Sequence, residues 1–66
     1  MEVGYDPISK RLEVVFRAAP KFLYTYSNVP VMKFVKLLTA DSAGIFFQRE
    51  IRSKPGMHPY TRKKMK

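Results

Sequence analysis

Across Ser27-Asn28-Val29-Pro30 the spacing of this chain's apolar residues changes from two to about 3.6. No other feature restricts the fold as much: a period of two is buried by a sheet and a period of 3.6 by a helix, so strands come first and helices follow. Upstream, Val3 and Tyr5 alternate with Glu2 and Gly4 until Asp6-Pro7 closes a first strand over residues 2–5. Residues 11–17 alternate most clearly, with Leu12, Val14 and Phe16 on one face and Arg11, Glu13, Val15 and Arg17 on the other. Ala18-Ala19-Pro20 turns the chain, and residues 21–26 place Phe22, Tyr24 and Tyr26 opposite Lys21, Leu23 and Thr25.

After the switch, Ser27-Asn28 supplies a turn and a cap, and Pro30 stands near the first helical position, where a missing amide costs nothing. Over residues 31–40, Val31, Phe34, Val35 and Leu38 fall at i, i+3, i+4 and i+7 with Lys33 and Lys36 on the far side, so that stripe is expected to pack on the sheet. Asp41 or Ser42 caps a second helix that turns Ala43, Phe47 and Ile51 inward and suits Arg49 and Arg52 to its C-terminal end. Gly44 is expected to let this helix approach its neighbour closely, and Pro55-Gly56 ends it by Lys54. Residues 53–66 hold too few apolar side chains to offset the entropy of ordering, which predicts a mobile tail pinned at Met57 or Tyr60.

The Gly4-Tyr5-Asp6 opening, the Tyr24-x-Tyr26 pair, the Val29-Pro30 step, the Ala40-x-Ser42-x-Gly44 turn and Ile51-Arg52 occur in this order over residues 3–60. In these features the chain resembles the KTSC domain, a small module named for the C-terminus of some lysyl-tRNA synthetases and also found alone. It departs from the family pattern in having Ala18-Ala19-Pro20 where the family carries glycine between the second and third strands. The resemblance implies a small α+β fold and a suggested role in binding RNA, with no established activity.

Thirteen basic residues against five acidic ones give a net charge of +8, a field that draws polyanions toward the chain before contact. Arg49, Arg52, Lys54, Arg62, Lys63, Lys64 and Lys66 face Glu50 alone among the last eighteen residues, so most of that charge lies at the C-terminal end. Such a cluster can neutralise phosphates with release of counterions, or it can be a solvated tail that aids solubility. With no cysteine, disulfides and thiolate metal sites are excluded, and an intracellular, cytoplasmic setting is the simplest expectation. No apolar run approaches the ~20 residues that span a bilayer, so no membrane partner is expected.

Tyr24 and Tyr26 share a strand face, as the stacking aromatics of sheet-based RNA binders do. Because Leu12, Val14, Phe16 and Phe22 belong to that face as well, core packing is the favoured role for the two tyrosines and base stacking the competing one. The opposite sheet face is then either a surface for a protein partner or a homodimer, or a solvated face of the kind antiparallel sheets tolerate. Ser42-Ala43-Gly44 could offer amides to an anion, but Asp41 would repel it and capping explains Ser42. His58 has no nearby acid to orient it and reads as an exposed or loosely packed ring. The five acids lack a pairing spacing, so no catalytic residue, metal or cofactor is indicated.

These readings converge on an α+β domain over residues 1–53: a three-stranded antiparallel meander packed on one face by two C-terminal helices, with a basic flexible tail over residues 54–66. The favoured function is non-catalytic binding of RNA, with Arg49, Arg52, Lys54, Arg62, Lys63 and Lys64 on the phosphates and Arg17 and Lys21 extending the patch. The alternative is a small bacterial or phage-encoded adaptor or inhibitor that grips a protein by its free sheet face or an edge strand.

Overall fold

The structure, a computed structural model, describes residues 1–65; Lys66 of the basic cluster lies outside them. The chain runs β1 (Glu2–Asp6), β2 (Arg11–Phe16), β3 (Ala19–Tyr26), α1 (Val31–Thr39), α2 (Ala43–Phe47), a π-helical turn (Gln48–Arg52) continuous with α2, and β4 (Tyr60–Lys64). The sheet is antiparallel in the order β1-β2-β3-β4. The expected meander is there with a fourth strand added. Residues 60–64, expected in a mobile tail, pair with β3 from Tyr26↔Tyr60 to Phe22↔Lys64.

Each turn follows from local chemistry. Between β1 and β2 the Asp6 carboxylate accepts from the Ile8 amide at 3.0 Å and the Ser9 hydroxyl at 2.9 Å, and these bonds hold its pKa below the usual carboxylate value. The chain leaves this turn through Lys10, and later leaves β3 through Asn28, both at φ 57°. Between β2 and β3 the turn falls at Arg17-Ala18, and neither residue has a positive φ. Glycine is therefore not required there, which accounts for the departure noted at Ala18-Ala19-Pro20.

The register puts Val3, Tyr5, Leu12, Val14, Tyr24 and Tyr26 on one face, and the helices cover it. Leu12, Val14, Tyr26, Val29, Leu37, Phe47 and Ile51 form the buried core. Tyr5 stacks on Phe34 with ring centroids 4.7 Å apart, and its hydroxyl donates to the Val29 carbonyl at 2.6 Å. That bond fixes the chain between sheet and helix. Pro30 precedes α1 in an extended conformation, and its carbonyl accepts from the Lys33 amide. Ser42 caps α2 as expected, its hydroxyl accepting from the Ile45 amide at 3.4 Å.

Two expectations about the helices are corrected. Leu37 is the fully buried residue of α1, joined by half-buried Phe34 and Lys33, whereas Val31, Val35 and Leu38 of the expected stripe are 50%, 43% and 59% exposed. The helix is rolled so that Lys33, expected on the outer side, faces in. Gly44 is exposed, and a Cβ built there meets nothing within 4 Å, so it performs no close-packing role.

Candidate functional site

The helical cover ends before the sheet does. Leu12, Val14 and Tyr26 are buried, whereas Phe16, Phe22 and Tyr24 on the same side are half-buried and Tyr60 is 54% exposed. Cross-strand pairing brings Tyr60, Arg62 and Lys64 of β4 onto this side, opposite Tyr26, Tyr24 and Phe22. The result is an aromatic strip at the β3–β4 end of the sheet, edged by cations.

Two guanidinium groups are seated on this strip. Arg52, leaving the π-helical turn, places its guanidinium carbon 5.8 Å from the Phe16 ring centroid. Phe16 meets Tyr24 edge-on at 5.2 Å, and Arg62, paired with Tyr24, lies 4.6 Å from the centroid of Phe22. A guanidinium on an aromatic face keeps its N–H edge free for a phosphate while its apolar plane is covered. Burial pushes the Tyr26 phenol's pKa up, and the charge of nearby Arg52 pulls the other way.

The remaining basic residues divide. Arg49 lies 3.3 Å and Lys54 3.7 Å from the two oxygens of the Glu50 carboxylate, so this acid engages both. Lys63 and Lys21 belong to the opposite sheet face, with Leu23 and Thr25, and Arg17 is exposed at the β2–β3 turn. Of the eight cations expected on phosphates, Arg52, Arg62 and Lys64 thus share a face with the aromatic strip. Of the two tyrosines considered for stacking, Tyr26 is buried in the core at 2% exposure and Tyr24 reaches the border of the strip.

Sequence reasoning missed Tyr60 and misjudged His58. Tyr60, expected only as a pin for the tail, carried no local signal of its place on a strand, because Tyr60-Thr61-Arg62-Lys63-Lys64 shows no apolar alternation. His58, expected to be exposed or loose, is 2% exposed and pins the segment that leads into β4. Its Nδ1 lies 3.2 Å from the Ser27 carbonyl and its Nε2 2.8 Å from the Lys33 ammonium, which also donates to the Glu50 carbonyl at 3.0 Å. A carbonyl accepts and an ammonium donates, so the ring is neutral with its proton on Nδ1. Burial lowers the His58 pKa, the Ser27 hydrogen bond opposes that, and the charge of Lys33 adds to it.

Among the described residues no group of three or more His, Cys, Asp or Glu could hold a metal ion, and no helix is long and apolar enough to cross a membrane. The family model of the KTSC domain matches residues 1–54, which takes in the first three strands and both helices and stops before His58 and β4. No curated protein matches the chain.

Proposed function

The chain belongs to the KTSC domain family, and from that premise we propose that it is a non-catalytic RNA-binding module, acting in the cytoplasm of a bacterium or encoded by a phage. The observation that carries this reading is the seating of Arg52 and Arg62 on Phe16 and Phe22, with Lys64 beside them, on the side of the sheet where helical cover has ended. Cations held on rings in this way offer phosphate contacts at little entropic cost, and the net charge of +8 steers a polyanion toward them. Lys63, brought beside the start of β3 by strand pairing, Lys21 and Arg17 extend the basic surface around the β4 edge and the β2–β3 turn.

A titration of the protein with labelled tRNA and with unstructured RNA across salt concentrations tests this. Three to five phosphate contacts give a log–log salt slope of about −2 to −4. Absence of saturable binding at low ionic strength would remove the reading.

A protein partner is the second reading, favoured by the outer face of α1, where Val31, Met32, Val35 and Leu38 are 43–59% exposed with Ile45 of α2 at 65%. As a small adaptor or inhibitor the chain would use such a surface, its open sheet face or its β1 edge. RNA would then give no saturable signal in the same titration.

A further inference from the structure

Resting on the RNA-binding reading, we infer that the strip takes an unpaired strand and that Tyr60, backed by Tyr24, stacks a base. Tyr60 is more than half exposed although its ring is held from behind: its centroid lies 5.3 Å from that of Tyr26 and 5.7 Å from that of Tyr24, inclined by 31° and 39°. Tyr26 is in turn fixed edge-on against Phe47 at 5.1 Å in the core. An aromatic ring supported from the core, with its remaining surface in solvent, is a rigid platform that loses little entropy when a base settles on it.

Cations continue the track. Arg62 and Lys64 follow Tyr60 at two-residue steps on the same side of β4, about 7 Å apart along the strand. A base on Tyr60 therefore leaves the backbone of the adjoining nucleotides beside the Arg62 guanidinium and then the Lys64 ammonium. In a duplex the bases are already stacked on their neighbours and show only their edges, so this ring has nothing to stack on. The strip consequently favours unpaired over paired RNA.

The test compares a fluorescein-labelled oligouridine of about twelve nucleotides with a blunt RNA hairpin of equal phosphate count whose two strands are joined by an ethylene-glycol linker in place of a nucleotide loop, so that every base is paired. Three proteins are used: the wild type, Tyr60→Phe and Tyr60→Leu. Leucine keeps an apolar cover over Tyr26 but lacks a ring face, and circular dichroism melts of both variants confirm the fold. Tyr60→Leu is expected to weaken oligouridine binding by roughly 5- to 100-fold. Its salt slope should stay unchanged, because no phosphate contact is lost, and Tyr60→Phe should remain within about twofold of wild type. Hairpin affinity should be weaker than oligouridine affinity and insensitive to either substitution. If hairpin and oligouridine bind equally, or Tyr60→Leu binds like wild type, the stacking platform is wrong while RNA binding stands. If neither RNA binds the wild type at low salt, both fall together.

Discussion

At residue 58 a neutral imidazole links three parts of the chain: Ser27 after β3, Lys33 of α1 and the segment leading to β4. Its backbone is tied as well, with the His58 amide donating to the Lys54 carbonyl at 2.8 Å and the Ser27 amide to the Pro59 carbonyl at 2.9 Å. Removing the ring leaves a cavity and withdraws an acceptor from the Lys33 ammonium. His58→Ala should therefore cost about 2–4 kcal/mol, read from urea midpoints. The same ring makes stability depend on pH. Its folded pKa lies below the ordinary value of 6.5, so as pH falls through 6.5 the unfolded chain takes up a proton that the folded chain refuses. Stability from this group is complete above pH 6.5, declines as pH drops toward the folded pKa, and levels off below it. Thermal melts from pH 7.5 down to pH 5 should show the decline in the wild type and lose this component in His58→Ala; parallel curves for the two proteins would contradict the assignment. Nothing next to His58 in the sequence announces this role, because its partners lie 25 and 31 residues away.

The elements differ in how plainly their residues declare them. β1 to β3 were legible because each buries one face, so alternation at Leu12-Glu13-Val14 or Tyr24-Thr25-Tyr26 is the physical cause of the fold and not a correlate of it. The extent of α1 was legible too, but its orientation was not. Phe34 can be buried either with Val31, Val35 and Leu38, as expected, or with Leu37, and periodicity alone cannot say which side meets the sheet. The structure turns Leu37 inward together with Lys33, one turn before it, whose ammonium reaches His58 and the Glu50 carbonyl. Substitution measures the same choice: Leu37→Ala should cost about 2–5 kcal/mol, as truncation of a buried leucine does, while Leu38→Ala should stay within about 0.5 kcal/mol. Equal effects in urea melts would mean that the roll of the helix is different. In α2, Gly44 is exposed with open space where a Cβ would go, so Gly44→Ala should stabilise by about 0.5–1 kcal/mol and raise the melting temperature. β4 was hidden because all five of its residues are exposed, and Tyr60-Thr61-Arg62-Lys63-Lys64 has the composition of a tail. Its partner is supplied by β3, dozens of residues upstream, and pairing at that distance leaves no local trace. The same gap decided how much of the site could be read: Arg52 and Arg62 stood out by charge, but Tyr60, two residues before Arg62 on the same side of β4, could be placed only once the strand was.

For the whole molecule the charge has two possible uses, and β4 is where they meet. As an outer strand of the sheet it exposes unpaired backbone groups, and Arg62, Lys63 and Lys64 would discourage another chain from pairing there whether or not RNA binds. Deleting the C-terminal segment cannot separate the two uses, because it also removes His58 and the Tyr60 cover over Tyr26. A chain of this size has a total stability of only about 3–10 kcal/mol, and a truncation after Lys54, where the family match ends, should forfeit a large part of it. The informative variant is the double substitution Arg62→Gln, Lys64→Gln, which keeps the strand, the ring and the core while removing two cations from the aromatic side. Urea midpoints should shift by no more than about 0.5 kcal/mol in stability. On unstructured RNA the log–log salt slope should shrink by about 1.4, the value for two lost phosphate contacts on a single strand. An unchanged slope together with aggregation of the variant would assign these side chains to guarding the edge, and the phosphate contacts would then have to be sought at Arg52 and on the Lys21–Lys63 face.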